Sequence, residues 1–207
     1  MRRYRKWHRM CRTFEDSVTA GLVSTLTSLV LVSTKKPVYV WLGAFIFTIG
    51  LTQWIDAYVW SVGAKTKEAD TAIRYGTGLV LVLEPLVSYG GLVYATQTRF
   101  SPFYEISLAL FSLMLYVYWI TLCKTTPISN DGFLKWCNSS PHFGVKAAFL
   151  FFLFLPFFWF PDPFLRILLI TICISGFLYS LTKEAFGSHW CYSMNAVSGL
   201  TLLRLLF

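Results

Sequence analysis

Two carboxylates sit inside apolar runs long enough to cross a bilayer. Asp56 lies in PVYVWLGAFIFTIGLTQWIDAYVW, and Glu84 lies in GTGLVLVLEPLVSYGGLVYA. An acid at membrane depth is costly, so such residues pair or mark ion pathways, proton relays and ligand sites. Gln53, Asp56 and Trp60 are spaced so that all three share one helix face. Glu84 precedes Pro85, and a proline within a membrane helix frees a backbone carbonyl one turn back, which builds a polar spot. Ser17, Ser24 and Ser28 form a hydroxyl stripe on the first apolar run. The segment GSHWCYSMN opens the last run and carries Ser188, His189, Trp190, Cys191 and Asn195 toward the depth of Asp56. The expectation is one polar cavity in the inner half of a helix bundle. Its ligand- or ion-binding side chains would be Asp56, Glu84, Gln53, Trp60, Ser17, Ser188, His189, Trp190 and Cys191.

A plainer reading stands beside this one. Polar side chains between membrane helices also serve as glue, each hydrogen bond contributing about 0.6–2 kcal/mol. Hydroxyls and Gln53 need no other role. Asp56 could touch headgroups or Lys65, and His189 could sit at the interface. Glu84 is too deep to snorkel. The Phe-rich run AAFLFFLFLPFFWF has no polar face and is expected to face lipid.

Several specific chemistries are excluded by missing residues. Retinal proteins carry a lysine in mid last helix, and residues 188–207 contain none. The Asp-Arg-Tyr and Asn-Pro-x-x-Tyr motifs of G-protein-coupled receptors are absent, as is the Gly-x-Ser-Gly of rhomboid proteases. Seven-span zinc hydrolases need three histidines with an Asp and a Ser. Here one of only three histidines, His8, lies in the basic N-terminal stretch. His189 and Cys191 are two residues apart, which on a helix points them away from each other. No metal or other cofactor is expected. No internal repeat suggests an inverted-repeat transporter.

Composition agrees with a membrane setting. Of 207 residues, 56% are hydrophobic and 14% charged, against about a quarter charged in soluble domains. No polar linker separates two domains. The expected organisation is a basic arm at 1–14 and a membrane domain at 15–207. The net charge of +8 is concentrated in MRRYRKWHRMCR. That arm reads first as a topology signal and second as a contact for anionic headgroups. Nucleic-acid binding would need a folded basic surface and is not expected.

Windows near the spanning length of about 20 residues give seven candidate helices. They are roughly 16–34, 37–62, 71–96, 103–124, 143–160, 164–182 and 188–207, separated by Pro, Gly and charged loop signals. With the N-terminus inside, thirteen of the eighteen Lys and Arg fall on the inner side and five on the outer. This bias places the N-terminus in the cytosol and the C-terminus outside. Cys11, Cys123, Cys137, Cys173 and Cys191 then fall on the inner side or within spans, so no disulfide framework is expected. Trp41 and Trp159 would form an outer aromatic belt, with Trp60, Trp119 and Trp190 in an inner one. The sequon Asn138-Ser139-Ser140 would face the cytosol and stay unmodified.

Three short stretches are similar to a family of small polytopic membrane proteins of bacteria and large DNA viruses. Met10, Cys11 and Ser17 match its Met-Cys start with a serine six residues on. Gln53, Asp56 and Trp60 match a Gln-x-x-Glu-Gly-x-x-Trp pattern, with Asp for Glu and Ala57 for Gly. Gly187, Ser188, Trp190 and Cys191 match a Gly-Ser-x-Trp-Cys pattern near the last span. Arg12 and Thr13 depart from the family's Phe-Ser, and nine residues precede Met10. The resemblance implies a fold and an important acidic position, not a reaction.

The sequence therefore describes an all-α, seven-transmembrane-helix bundle, integral to a membrane whose identity it does not name. Three functions compete. The first is binding or passage of a small ligand or ion around Asp56 and Glu84. The second is a structural subunit of a larger membrane assembly. The third is an intramembrane enzyme using Asp56 with His189 or Cys191.

Overall fold

The structure, a computed structural model, describes residues 13–123, 128, 134, 136, 142–181 and 196–205. The described chain is helical: α1 (Phe14–Ser33), α2 (Pro37–Val62), α3 (Lys67–Thr71), α4 (Gly78–Thr96), α5 (Pro102–Leu122), α6 (Phe143–Phe154) and α7 (Pro163–Leu181). A last helix, α8, covers Ala196–Leu205. A π-helical turn at Ala72–Thr77 joins α3 to α4, so that Lys67–Thr96 forms one long rod. Four helices are long and apolar enough to cross a membrane: Phe14–Ser33, Pro37–Val62, Lys67–Thr96 and Pro102–Leu122. The apolar stretches Phe143–Trp159, Pro163–Ile172 and Ala196–Leu205 are shorter. Residues 188–195, the start of the seventh expected span, lie outside the described residues.

Local signals explain the helix starts. The Thr13 hydroxyl accepts from the Asp16 amide and Ser101 accepts from Tyr104, each satisfying an orphan donor of a first turn. Pro37 and Pro102 open α2 and α5, where a missing amide hydrogen costs nothing. Lys35, at φ 57°, turns the chain between α1 and α2 within three residues.

α2 is the central rod. Its Gly50 meets α1, where an added Cβ would come 2.6 Å from Ser24 Cβ. Ser28 Oγ donates to the Gly43 carbonyl at 2.8 Å, and Trp54 Nε1 donates to Thr25 Oγ1 at 3.1 Å. Small residues allow this approach, as in other closely packed membrane helices. Nine residues from Gly50, and so half a turn round α2, Trp41 lies against Gly91 of α4. Thus α1 and α4 flank α2 on opposite sides. The stripe Ser17, Ser24, Ser28 is buried against α2, as its spacing predicts.

The Phe-rich run is core on one face, while Phe151, Phe158 and Trp159 on the other are exposed. Phe149, Phe152, Leu153, Phe157 and Phe160 are buried. Phe157 stacks on Trp41 with ring centroids 5.4 Å apart and meets Phe45 edge-on at 4.7 Å. The helix tightens to a 3₁₀ turn at Leu155–Trp159, where Pro156 cannot donate to the Phe152 carbonyl. Tyr104 Oη donates to that carbonyl instead at 3.3 Å, and Ser88 Oγ donates to the Leu153 carbonyl at 2.8 Å.

This core corrects the belt assignment. Trp41 is interior, and so is Trp119, whose indole donates to the Ile73 carbonyl in the π turn at 3.2 Å. Trp159 is 47% exposed and remains a surface aromatic. Trp190 lies outside the described residues. Cys123 is disulfide-bonded, against the expectation of no disulfide framework.

Candidate functional site

Asp56 and Gln53 lie on a third face of α2, between the face on α1 and the face on α4. Both are buried, Asp56 at 0% exposure. Trp136 closes this face over Asp56. Its Nε1 donates to Asp56 Oδ1 at 3.0 Å, in a contact buried from solvent and spanning 80 positions of sequence. Asp56 Oδ2 is buried with no hydrogen-bond partner among the described residues. The cavity expected from the sequence set Asp56 among Gln53, Ser188 and His189. Gln53 is buried one turn away, while Ser188, His189, Trp190 and Cys191 lie outside the described residues.

Trp136 was missed. It belongs to the connection between α5 and α6, which reads as polar loop. The available signal was the alternation Leu134, Trp136, two large apolar residues at the two-residue period of a strand face. Both are buried, and Leu134 bridges Ile128 in an antiparallel pairing. Leu134 and Trp136 are therefore packed into the bundle.

Glu84 is also buried at 0% exposure. It shares the α2-facing side of α4 with Gly91, seven residues later. Ile55 lies against Gly76 and Trp41 against Gly91, so α2 and the third rod run antiparallel in a fixed register. That register sets Glu84 opposite Thr48, eight residues from Asp56 along α2. The two acids are therefore about 12 Å apart along the bundle axis at 1.5 Å per residue. They occupy two depths and do not form one site.

The hydroxyls of α1 follow the same two depths. The Ser24–Gly50 contact sets Ser17 opposite Ala57, level with Asp56, and Thr27 level with Thr48 and Glu84. Ser17 Oγ, Thr27 Oγ1 and Thr77 Oγ1 are buried without hydrogen-bond partners among the described residues. Trp60 is half-buried, with its indole nitrogen likewise unpartnered among the described residues. It lies one turn from Asp56 toward the helix end, at the rim of the site.

Two described ion pairs each join a connection residue to a helix end: Arg99 with Glu105 of α5 at 3.5 Å, and Asp162 with Arg204 of α8 at 3.7 Å. No group of three or more His, Cys, Asp and Glu side chains capable of holding a metal occurs among the described residues. The fold and site define an all-helical protein with four helices of membrane-spanning length and acids buried between them. No family model, curated protein or solved structure matches the chain.

Proposed function

We propose that this protein is a multi-pass membrane protein that binds or passes a proton or small cation through the polar interior between α1, α2 and α4. The observation that carries this reading is the half-used carboxylate of Asp56. A structural acid buried in an apolar bundle is expected to saturate both oxygens, because each open one is costly. Asp56 gives one oxygen to Trp136 and keeps the other open among the described residues. Glu84, about 12 Å deeper by the helix rise, supplies a second acidic station, with open hydroxyls at both levels. The resemblance to the bacterial and viral membrane family, with its acidic position in the second span, accords with this.

The topology proposed is seven crossings with the N-terminus in the cytosol and the C-terminus outside. The charge bias supports it. So does the Arg204–Asp162 pair, which brings the end of α8 to the corner between α6 and α7, as alternation requires. The Cys123 disulfide pulls the other way, since structural disulfides persist in oxidising compartments.

The test is ion flux into liposomes containing the purified chain, under an imposed proton, sodium or potassium gradient. Flux above that of empty liposomes, abolished by Asp56→Asn, supports the reading. Flux at background under every gradient removes it and leaves a structural subunit as the better account.

A further inference from the structure

We propose that Asp56 and Thr77 are two ligands of one small monovalent cation, of the sodium or lithium kind, held between α2 and the π turn that leads into α4. The proposal rests on the ion-binding reading above and names the ion class and a second ligand. Depth is set by packing. Ile55 lies against Gly76, so their chain neighbours Asp56 and Thr77 share one level of the bundle, within about 3 Å along the axis by the helix rise. Direction follows from the helical period. Asp56 is three turns along α2 from Phe45, which meets Phe157 of the 3₁₀ turn edge-on. Thr77 is likewise three turns from Ser88, whose hydroxyl donates to the Leu153 carbonyl of α6. Both residues therefore sit on the side of their helices that faces α6 and its 3₁₀ extension. Each is 0% exposed.

The π turn accounts for the free hydroxyl. Thr19, Thr48, Thr71, Thr96 and Thr121 each donate to the carbonyl four residues back, a common use of a helical threonine. For Thr77 that carbonyl belongs to Ile73, and the Trp119 indole donates to it at 3.2 Å. Thr77 Oγ1 and Asp56 Oδ2 are both buried with no hydrogen-bond partner among the described residues. π turns within helices frequently mark functional sites. Two unbonded oxygens at one level and on one side, one of them charged, suit a hard cation. Charge then sets the valence. Arg74, in the same turn, gives its Nε to the Cys123 carbonyl at 3.3 Å and makes no ion pair with Asp56. One carboxylate balances one positive charge, whereas a divalent ion would leave charge uncompensated among apolar groups.

The test is thermal unfolding of the full chain in detergent, titrated with sodium, lithium or choline chloride at equal ionic strength. Choline is too large for the site and supplies the reference. An ion that binds only the folded chain raises the midpoint. Sodium or lithium should raise that of the parent over choline by about 3–5 °C, the shift for a chain of this size at about ten times the Kd. Thr77→Val keeps the shape, loses the hydroxyl and should abolish the shift, while Thr77→Ser should retain it. Asp56→Asn should abolish it too. Thr121→Val, which alters an exposed hydroxyl on α5, should leave it intact. Each variant is compared with itself in choline, so a lower midpoint does not disturb the comparison. Equal parent midpoints in all three salts overturn the site, and so does a shift that survives Thr77→Val. If Thr77→Val does not fold, Thr77→Ala decides. Flux into liposomes separates this proposal from its foundation. Proton flux abolished by Asp56→Asn, with no sodium or lithium shift in the parent, overturns the site and keeps the reading above. A shift lost in Thr77→Val, with flux at background, sustains the site and removes ion passage.

Discussion

Trp136 and Asp56, 80 positions apart in sequence, meet through a 3.0 Å hydrogen bond buried from solvent. The contact ties the connection between α5 and α6 to the third face of α2. The acid that the sequence singles out is thus bonded by a residue that the sequence does not single out.

Substitution to the isosteric amide separates ionisation from hydrogen bonding. Asp56→Asn and Glu84→Gln keep size and most polar contacts. Both variants should insert and purify as the parent does, with thermal midpoints within a few degrees, and both should lose flux in liposomes. Retention of every measurable flux or binding signal by both would make the carboxylates structural glue.

Adjacent glycines in α4 should behave oppositely. A Cβ on Gly91 would run into the Trp41 ring, while a Cβ on Gly90 meets nothing within 4 Å. Gly91→Ala should destabilise the protein by about 1–3 kcal/mol, the usual cost of overpacking. Gly90→Ala should be neutral or slightly stabilising, since alanine favours helix. Thermal unfolding of the two variants in detergent checks this, and equal midpoints would refute the α2–α4 contact.

The α1–α2 contact makes a graded prediction. Ser28→Ala removes the hydrogen bond to the Gly43 carbonyl, and should cost about 0.6 kcal/mol, in line with typical bonds between membrane helices. Gly50→Val forces α1 away from Ser24 and should cost more. If the order is reversed, close approach is not what holds α1.

Cys123 should resist alkylation until reductant is added, and a mass increase at Cys123 after reduction would confirm its disulfide. Cys123→Ser should lower stability by about 2–5 kcal/mol. A freely alkylated Cys123 in the untreated protein would contradict the disulfide.

The proposed orientation predicts that Asn138 carries no glycan when the chain is made in a secretory membrane, because the charge bias puts its loop in the cytosol. Glycan on Asn138 would reverse the topology. It would also agree with the Cys123 disulfide about which side is oxidising.

The sequence by itself determined the helices and the inward face of α1. Long apolar runs, Pro at first turns and Thr or Ser caps are local signals, and α1, α2, α3 and α5 start where those signals lie. Ser17, Ser24 and Ser28 told which side of α1 is buried because they contrast with leucine and valine around them. α6 and Trp41 gave no such contrast. In lipid both the inward and the outward face of a helix are apolar, so periodicity no longer separates core from surface. Hence Phe149, Phe152 and Phe157 read as lipid-facing and Trp41 as belt, yet all are core. The two depths of Asp56 and Glu84 required the α2–α4 register, which glycine contacts across helices set. The Trp136–Asp56 bond required tertiary structure most of all: a pairing across 80 positions leaves no trace in local spacing, because the fold alone brings the two ends together.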